Sequence, residues 1–181
     1  MNFKIGSREI GKNKPPFIIA EMSGNHNGDI QRALALVEAA AAAGAHALKL
    51  QTYTADTITL DARGGLFDIS DPASLWHGYN LYELYEEAHT PWEWHETIFA
   101  HAKSLGMEAF SSPFDETAVD FLESLNVPAY KIASFESGHH PLLRKVAATG
   151  KPVIISSGTS KLDEIYESVR ILRENLSLIH I

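Results

Sequence analysis

There is no cysteine among the 181 residues, which excludes a disulfide framework and thiolate chemistry. No apolar run approaches the roughly 18 residues of a membrane-spanning helix. The opening segment MNFKIGSREIGKNKPP carries charge without an apolar stretch behind it, so it does not read as a secretory signal. A cytoplasmic protein is the expectation. Basic residues are scarce: 15 Lys and Arg stand against 23 Asp and Glu, a formal net charge of −8. Such a field repels nucleic acid and anionic membranes, so neither is expected as a partner, and an anionic ligand needs cations placed locally. What is present is an ordinary globular composition, 45% hydrophobic and 21% charged, which excludes a disordered tail or a fibrous repeat.

Short β-branched runs alternate with helical patterns along the chain. FIIAEM (17–22) follows a double proline that marks a strand entry. A polar loop, SGNHNGD, leads to a helix with Asp29 at its N-cap and Gly44 at its stop. HALKLQT (46–52) is the second strand, and the stretch from there to Pro91 reads largely as loop, with a short helix at LYELYEEA (81–88). The pattern then predicts a helix over 91–106, a strand over 107–112 and a helix over 115–126. A strand over 128–134, a helix over 140–150, a strand over 151–157 and a helix over 161–175 complete it. Five strand–helix units in a row, with largely apolar strands, suit a parallel α/β sheet covered on both faces.

An open doubly wound sheet predicts a glycine-rich phosphate loop at the first turn. SGNHNG has the spacing G-x-x-x-G rather than G-x-G-x-x-G. A TIM-type (β/α)8 barrel predicts instead that chemistry is spread over the C-terminal ends of several strands. That pattern is present: Glu21, then Lys49 and Gln51, then Ser111 and Ser112, then Lys131 and Ser134, then Ser156 and Ser157. A barrel of this kind runs to about 250 residues, so the expectation is one truncated to about its first five β/α units, over residues 1–175.

Lys49 and Lys131 interrupt apolar strands, where an unpaired ammonium is costly, and with the serines they suggest a cradle for phosphate or carboxylate. Glu21 could be their ion-pair partner or a group that guides a proton or steadies a developing cation. The serines and Asp115 also have ordinary roles as caps and turn residues, and Glu136 reads as a loop or capping residue. His26, in the loop after the first strand, lies at the expected mouth and is a candidate substrate contact. His95, His101, His139 and His140 lack the spacing of a metal pair on one helical face and read as surface or loop histidines. Trp76 and Tyr79 either pack the long insertion onto the body or serve as a lid or sugar platform.

The runs IAEMSGNHNG (19–28), LKLQTYT (48–54), TPWEW (90–94), FSSPFDE (110–116), AYKIASFE (129–136) and VIISSG (153–158) occur in that order. Together they resemble the N-terminal part of the sialic acid synthase family, nearest the branch that makes bacterial nine-carbon surface sugars. The resemblance implies a carbon–carbon bond-forming transferase. Such an enzyme condenses phosphoenolpyruvate with an N-acetylated amino sugar to give a nonulosonic acid and phosphate, with the help of a divalent metal, Mn or Mg. It implies that Lys49, Ser112, Lys131, Ser134 and Ser156 hold phosphoenolpyruvate, that Gln51 faces the sugar and that Glu21 lies near the reacting carbons. It also implies a homodimer. In the family the metal-binding histidines come from later strands, and an arginine comes from a C-terminal antifreeze-like domain. Neither is matched in this chain, so no metal ligand is assigned and that domain is expected to be absent. A different class of function, a non-catalytic half-barrel binding sugar or phosphate, stays open on the residues alone. The last six residues, LSLIHI (176–181), are also the translation of the transposon adapter CTGTCTCTTATACACATC, and a non-native tail is expected there.

Overall fold

Residues 2–175 are described by the computed structural model; the tail over residues 176–181 lies outside them. The chain opens with an antiparallel hairpin, β1 (Asn2–Ile5) and β2 (Arg8–Gly11). The apolar pattern does not announce it, because each strand is only four residues long and too short for alternation to register. Its turn depends on Gly6, whose φ is +56°, a left-handed conformation that costs other residues about 1 kcal/mol or more. The hairpin is seated through Ser7, whose backbone N and Oγ donate to Glu108 Oε1 at 2.8 and 2.9 Å.

The body is a five-stranded parallel sheet with its strands in chain order: β3 (Ile19–Glu21), β4 (Ala47–Thr52), β5 (Glu108–Pro113), β6 (Tyr130–Ile132) and β7 (Val153–Ile155). The main crossover helices are α1 (Ile30–Ala42), α4 (His95–Ser104), α5 (Glu116–Ser124) and α6 (His140–Ala147), and α7 (Leu162–Asn175) follows β7. Short helices α2 (Ala55–Ile58) and α3 (Leu81–Ala88) lie in the long stretch after β4. Asp29 caps α1 by accepting from Gln31 N, and Asp115 caps α5 by accepting from Thr117 N and Ala118 N. Gly44 (φ +83°) and Asn126 (φ +51°) take the left-handed stop positions.

Side chains alternate across the sheet. Leu48, Leu50, Tyr130 and Ile132 lie on the face covered by helices and are fully buried with Val37, Ile98, Leu122, Leu142, Leu143 and Leu172. The register sets Glu21 beside Lys49, Gln51 beside Ser112, and Lys131 beside Ile154 on the opposite, inner face. Five strands in this order leave β3 and β7 as edges, so the architecture is a half-barrel, as the sequence pattern predicts. No described helix is long and apolar enough to cross a membrane.

Two expectations are corrected. The segment 91–106 is not one helix: a 3-10 turn at Trp92–Trp94 precedes α4, closed by Trp94 N donating to Pro91 O at 3.0 Å. Proline has no N–H to give and favours this tighter entry. His95, read as a surface or loop residue, is fully buried at the start of α4.

A Cβ built on Gly6 overlaps the Glu108 carboxyl group. Gly6→Ala is therefore expected to lower the unfolding free energy by at least about 1 kcal/mol, read from the urea midpoint of the chain. An unchanged midpoint contradicts the seating of the hairpin on Glu108.

Candidate active site

The inner face gathers its charges at the C-terminal ends of the strands. Lys49 and Glu21 form an ion pair across β3 and β4. The lysine side chain is 12% exposed and the glutamate 43% exposed, so the pair points a half-solvated carboxylate at the open end while the cation stays inside. Lys131, from β6, donates to the carbonyl of Ile132 at 2.8 Å. Burial holds its pKa below the usual lysine range; Lys49 pushes it the same way, and Glu21 and Glu136 oppose. Two ammonium groups thus repel one another beside one exposed carboxylate. A multiply charged anion relieves that repulsion.

Ser112 is buried on β5 in register with Gln51. Gln51 Oε1 accepts from Ser23 Oγ at 3.2 Å, which leaves its amide N–H2 for a ligand. Ser134 begins the 3-10 turn Phe135–Gly138, and its carbonyl accepts from Ser137 Oγ at 2.8 Å and Thr159 Oγ1 at 2.9 Å. Ser134 Oγ lies 3.4 Å from the point where a Cβ on Gly158 would sit. Ser156 follows β7 and donates its backbone N–H to the Ile132 carbonyl at 3.0 Å, the same oxygen that Lys131 engages. The loops after β6 and β7 therefore close on one another around Lys131.

The structure does not bring His26 to this cradle. It is fully buried, with Nε2 3.1 Å from Thr90 Oγ1, Nδ1 accepting from Gly28 N at 3.1 Å, and its ring edge-on to Trp94. Both ring nitrogens are occupied, and the histidine ties the loop after β3 to the segment before α4. The serine pair on β5 also splits. Ser111 faces the helices, and its Oγ is 2.6 Å from Thr52 Oγ1, which is 2.9 Å from His95 Nε2. His95 Nδ1 donates to the Pro91 carbonyl at 3.2 Å, so Nε2 is the acceptor in the Thr52 contact.

One functional candidate escapes sequence reasoning. Glu136, in the 3-10 turn after β6, has a buried Oε2 with no hydrogen-bond partner among the described residues. Burial raises its pKa, while its own backbone N–H, His139 and Lys131 lower it. A half-buried carboxyl with one buried, unbonded oxygen has the character of a proton-transfer candidate. Its burial depends on a turn that the chain pattern does not reveal.

Beside Gln51 a cleft of about 520 Å³ opens between the loop after β3 and the long segment after β4, lined by Ser23, Asn25, Arg32, Gln51, Trp76 and Tyr85 among others. Trp76 packs edge-on against Tyr79 with ring centroids 5.4 Å apart. Among the described residues no group of three or more His, Asp and Glu can hold a metal ion, so the residues present do not fit the divalent metal that the resemblance implies.

The chain is thus a parallel half-barrel with Lys49 and Lys131 at the C-terminal ends of its strands. Residues 36–180 match the NeuB family, and the chain belongs to that family. It is 45% identical over 160 residues to the pseudaminic acid synthase of Helicobacter pylori, which covers 88% of this chain and 46% of that protein. It is 38% identical over 163 residues to the N,N'-diacetyllegionaminic acid synthase of Legionella pneumophila, covering 88% of this chain and 44% of that protein. Among solved structures, the N-acetylneuraminic acid synthetase of Leptospira borgpetersenii in complex with citrate superposes with a TM-score of 0.80 at 29% identity. That match covers 97% of this chain and 56% of the other. The chain thus spans about half the length of the curated relatives it matches.

Burial lowers the pKa of His95 from 6.5 to about 4. The unfolded chain therefore binds a proton that the folded chain refuses, and stability present above pH 6.5 falls as the pH drops toward 4. The loss from this group reaches up to about 3 kcal/mol. Burial lowers the pKa of His26 as well, with His89 adding to the effect, and this acts with the same sign. Urea titrations between pH 7 and 5 are expected to show the decline, with a smaller slope in His95→Gln. An equal slope in the variant removes His95 from the account.

Proposed function

We propose that this chain is the phosphoenolpyruvate-handling half of a synthase that joins phosphoenolpyruvate to an N-acetylated amino sugar, giving a nine-carbon nonulosonic acid and phosphate. Pseudaminic acid synthase is the reading that the higher identity to the Helicobacter relative favours; a legionaminate or N-acetylneuraminate synthase is the alternative. The observation that carries the proposal is Lys131. It is an ammonium with burial and Lys49 against it, bonded to a single carbonyl.

In this reading Lys49 and Lys131 hold the phosphate and carboxylate of phosphoenolpyruvate, while Ser112, Ser134 and Ser156 supply hydroxyl or backbone hydrogen bonds. The methylene carbon of phosphoenolpyruvate attacks the aldehyde carbon of the open-chain sugar; the C=O π pair moves to the aldehyde oxygen, which takes a proton from water and becomes a hydroxyl, and C2 of phosphoenolpyruvate becomes cationic. Water adds to C2, and phosphate leaves with cleavage of the C–O bond. Glu21, exposed and paired to Lys49, faces the developing cation and stabilises it by charge. Glu136 accepts the proton that the water or the hydroxyl at C2 must lose, a task suited to a carboxyl whose pKa burial has raised. Gln51 orients the sugar through its free amide. The working unit in this reading is a homodimer.

The test is phosphate release by the intact synthase with the three candidate sugars. Lys49→Met and Lys131→Met are expected to cut kcat/KM for phosphoenolpyruvate on the order of 10²-fold or more. Glu136→Gln is expected to cut kcat with little change in the KM for phosphoenolpyruvate, and to move the acidic limb of the kcat profile. Sugar-independent phosphate release, or full activity in Lys131→Met, overturns the proposal.

A further inference from the structure

Among the described residues, those other than glycine with a left-handed backbone are Ser23 (φ +49°), Asn27 (φ +52°) and Asn126 (φ +51°). Asparagine enters that region readily, because its short polar side chain bonds locally. Serine gains less there, so Ser23 holds a costly conformation. It takes the first central position of the turn Met22–Asn25, which Asn25 N closes by donating to Met22 O at 3.2 Å. A positive φ at that position favours glycine. The chain has its glycine one residue later, at Gly24, where a Cβ would lie 3.0 Å from the Ala88 carbonyl oxygen. The strained serine is gripped on both sides. Before it, Met22 is buried, and its N–H donates to Lys49 O at 3.1 Å. After it, Asn25 Nδ2 donates a second bond to Met22 O at 2.8 Å, and Asn25 O accepts from Arg32 Nε at 2.8 Å. A residue kept in a costly conformation by so many neighbours points to a use for it. Ser23 Oγ donates to Gln51 Oε1 at 3.2 Å, and neither side chain has another hydrogen bond among the described residues.

We propose that Ser23 is a positioning residue for the synthase reaction: its left-handed backbone aims Oγ at the Gln51 carbonyl oxygen and so directs the amide N–H2 at the bound sugar. The inference rests on the synthase reading and deepens it. A glutamine amide is nearly symmetric in shape, with an acceptor on one side and donors on the other. Unheld, it can turn either side to a ligand, and its long side chain carries torsional freedom that binding must remove. A hydroxyl donor on Oε1 ends that choice before substrate arrives. Ser23 and Gln51 both line the cleft beside β4. The bond from Met22 N to Lys49 O ties the turn to the same strand that carries Gln51, so donor and acceptor share one rigid frame.

Ser23→Gly separates strain from function, because glycine enters the left-handed region freely and has no hydroxyl. On the intact synthase, with the candidate sugar that wild type turns over, Ser23→Gly is expected to raise the KM for that sugar about two- to tenfold, the worth of one neutral hydrogen bond. The KM for phosphoenolpyruvate stays nearly unchanged, and the urea midpoint does not fall. Ser23→Ala keeps the strained backbone and is expected to raise the sugar KM by the same factor. Gln51→Ala raises the sugar KM as well, and adding Ser23→Gly to it has no further effect, as one residue acting through another requires. A sugar KM unaltered in Ser23→Gly, or raised by the same factor in the Gln51→Ala background, overturns the positioning role while leaving the synthase reading standing. So does a fall in the urea midpoint of Ser23→Gly, which makes the serine a structural part of the turn. Absence of phosphoenolpyruvate-dependent turnover by wild type with every candidate sugar overturns both.

Discussion

β4 has to satisfy two environments at once. Its even residues, Leu48 and Leu50, are sealed beneath helices, while Lys49 and Gln51 turn to the inner face. Because the side-chain period of a strand is two, a slip of one residue would bury the lysine among aliphatic side chains and expose the leucines. Such a slip costs far more than a domain's net stability can absorb. The neighbouring strands inherit that register: Glu21 is set beside Lys49, Ser112 beside Gln51, and Ser111 beneath the helices. Behind the sheet, the Thr52, Ser111 and His95 chain satisfies the polar groups that this arrangement sends into the core.

The acidic surface and the basic cradle are parts of one electrostatic design. With a net charge of −8, the protein as a whole repels the anion it is proposed to use. Lys49 is neutralised by Glu21 and held rigid, whereas Lys131 is left to a carbonyl. The positive potential therefore peaks at one place and is not spread over a surface where counter-ions would screen it.

Much of this was legible in the chain. Apolar runs bounded by proline, glycine and capping residues mark the five strands and their helices, and a lysine inside LKLQT signals an inner face of different character from the helix-covered one. The limits have physical causes. Adjacent serines at 111 and 112 look alike until the register shows that one faces helices and the other the interior. His95 follows a 3-10 turn at Trp92–Trp94 that helical spacing does not reveal, and Glu136 lies in another such turn after β6. His26 lies in the expected loop but folds under it, because Gly28 and Thr90 occupy both ring nitrogens.

The hairpin at the start of the chain is fastened to Glu108, at a sequence separation of 101 residues. Its anchor is on the third strand of the sheet, so β3, β4 and the whole segment between β4 and β5 must be made before the hairpin has a place to rest. On a ribosome that adds roughly 5–20 residues each second, Ser7 is made several seconds before Glu108. The hairpin is thus a late arrival in the folded body, because its anchor belongs to a strand made long after it.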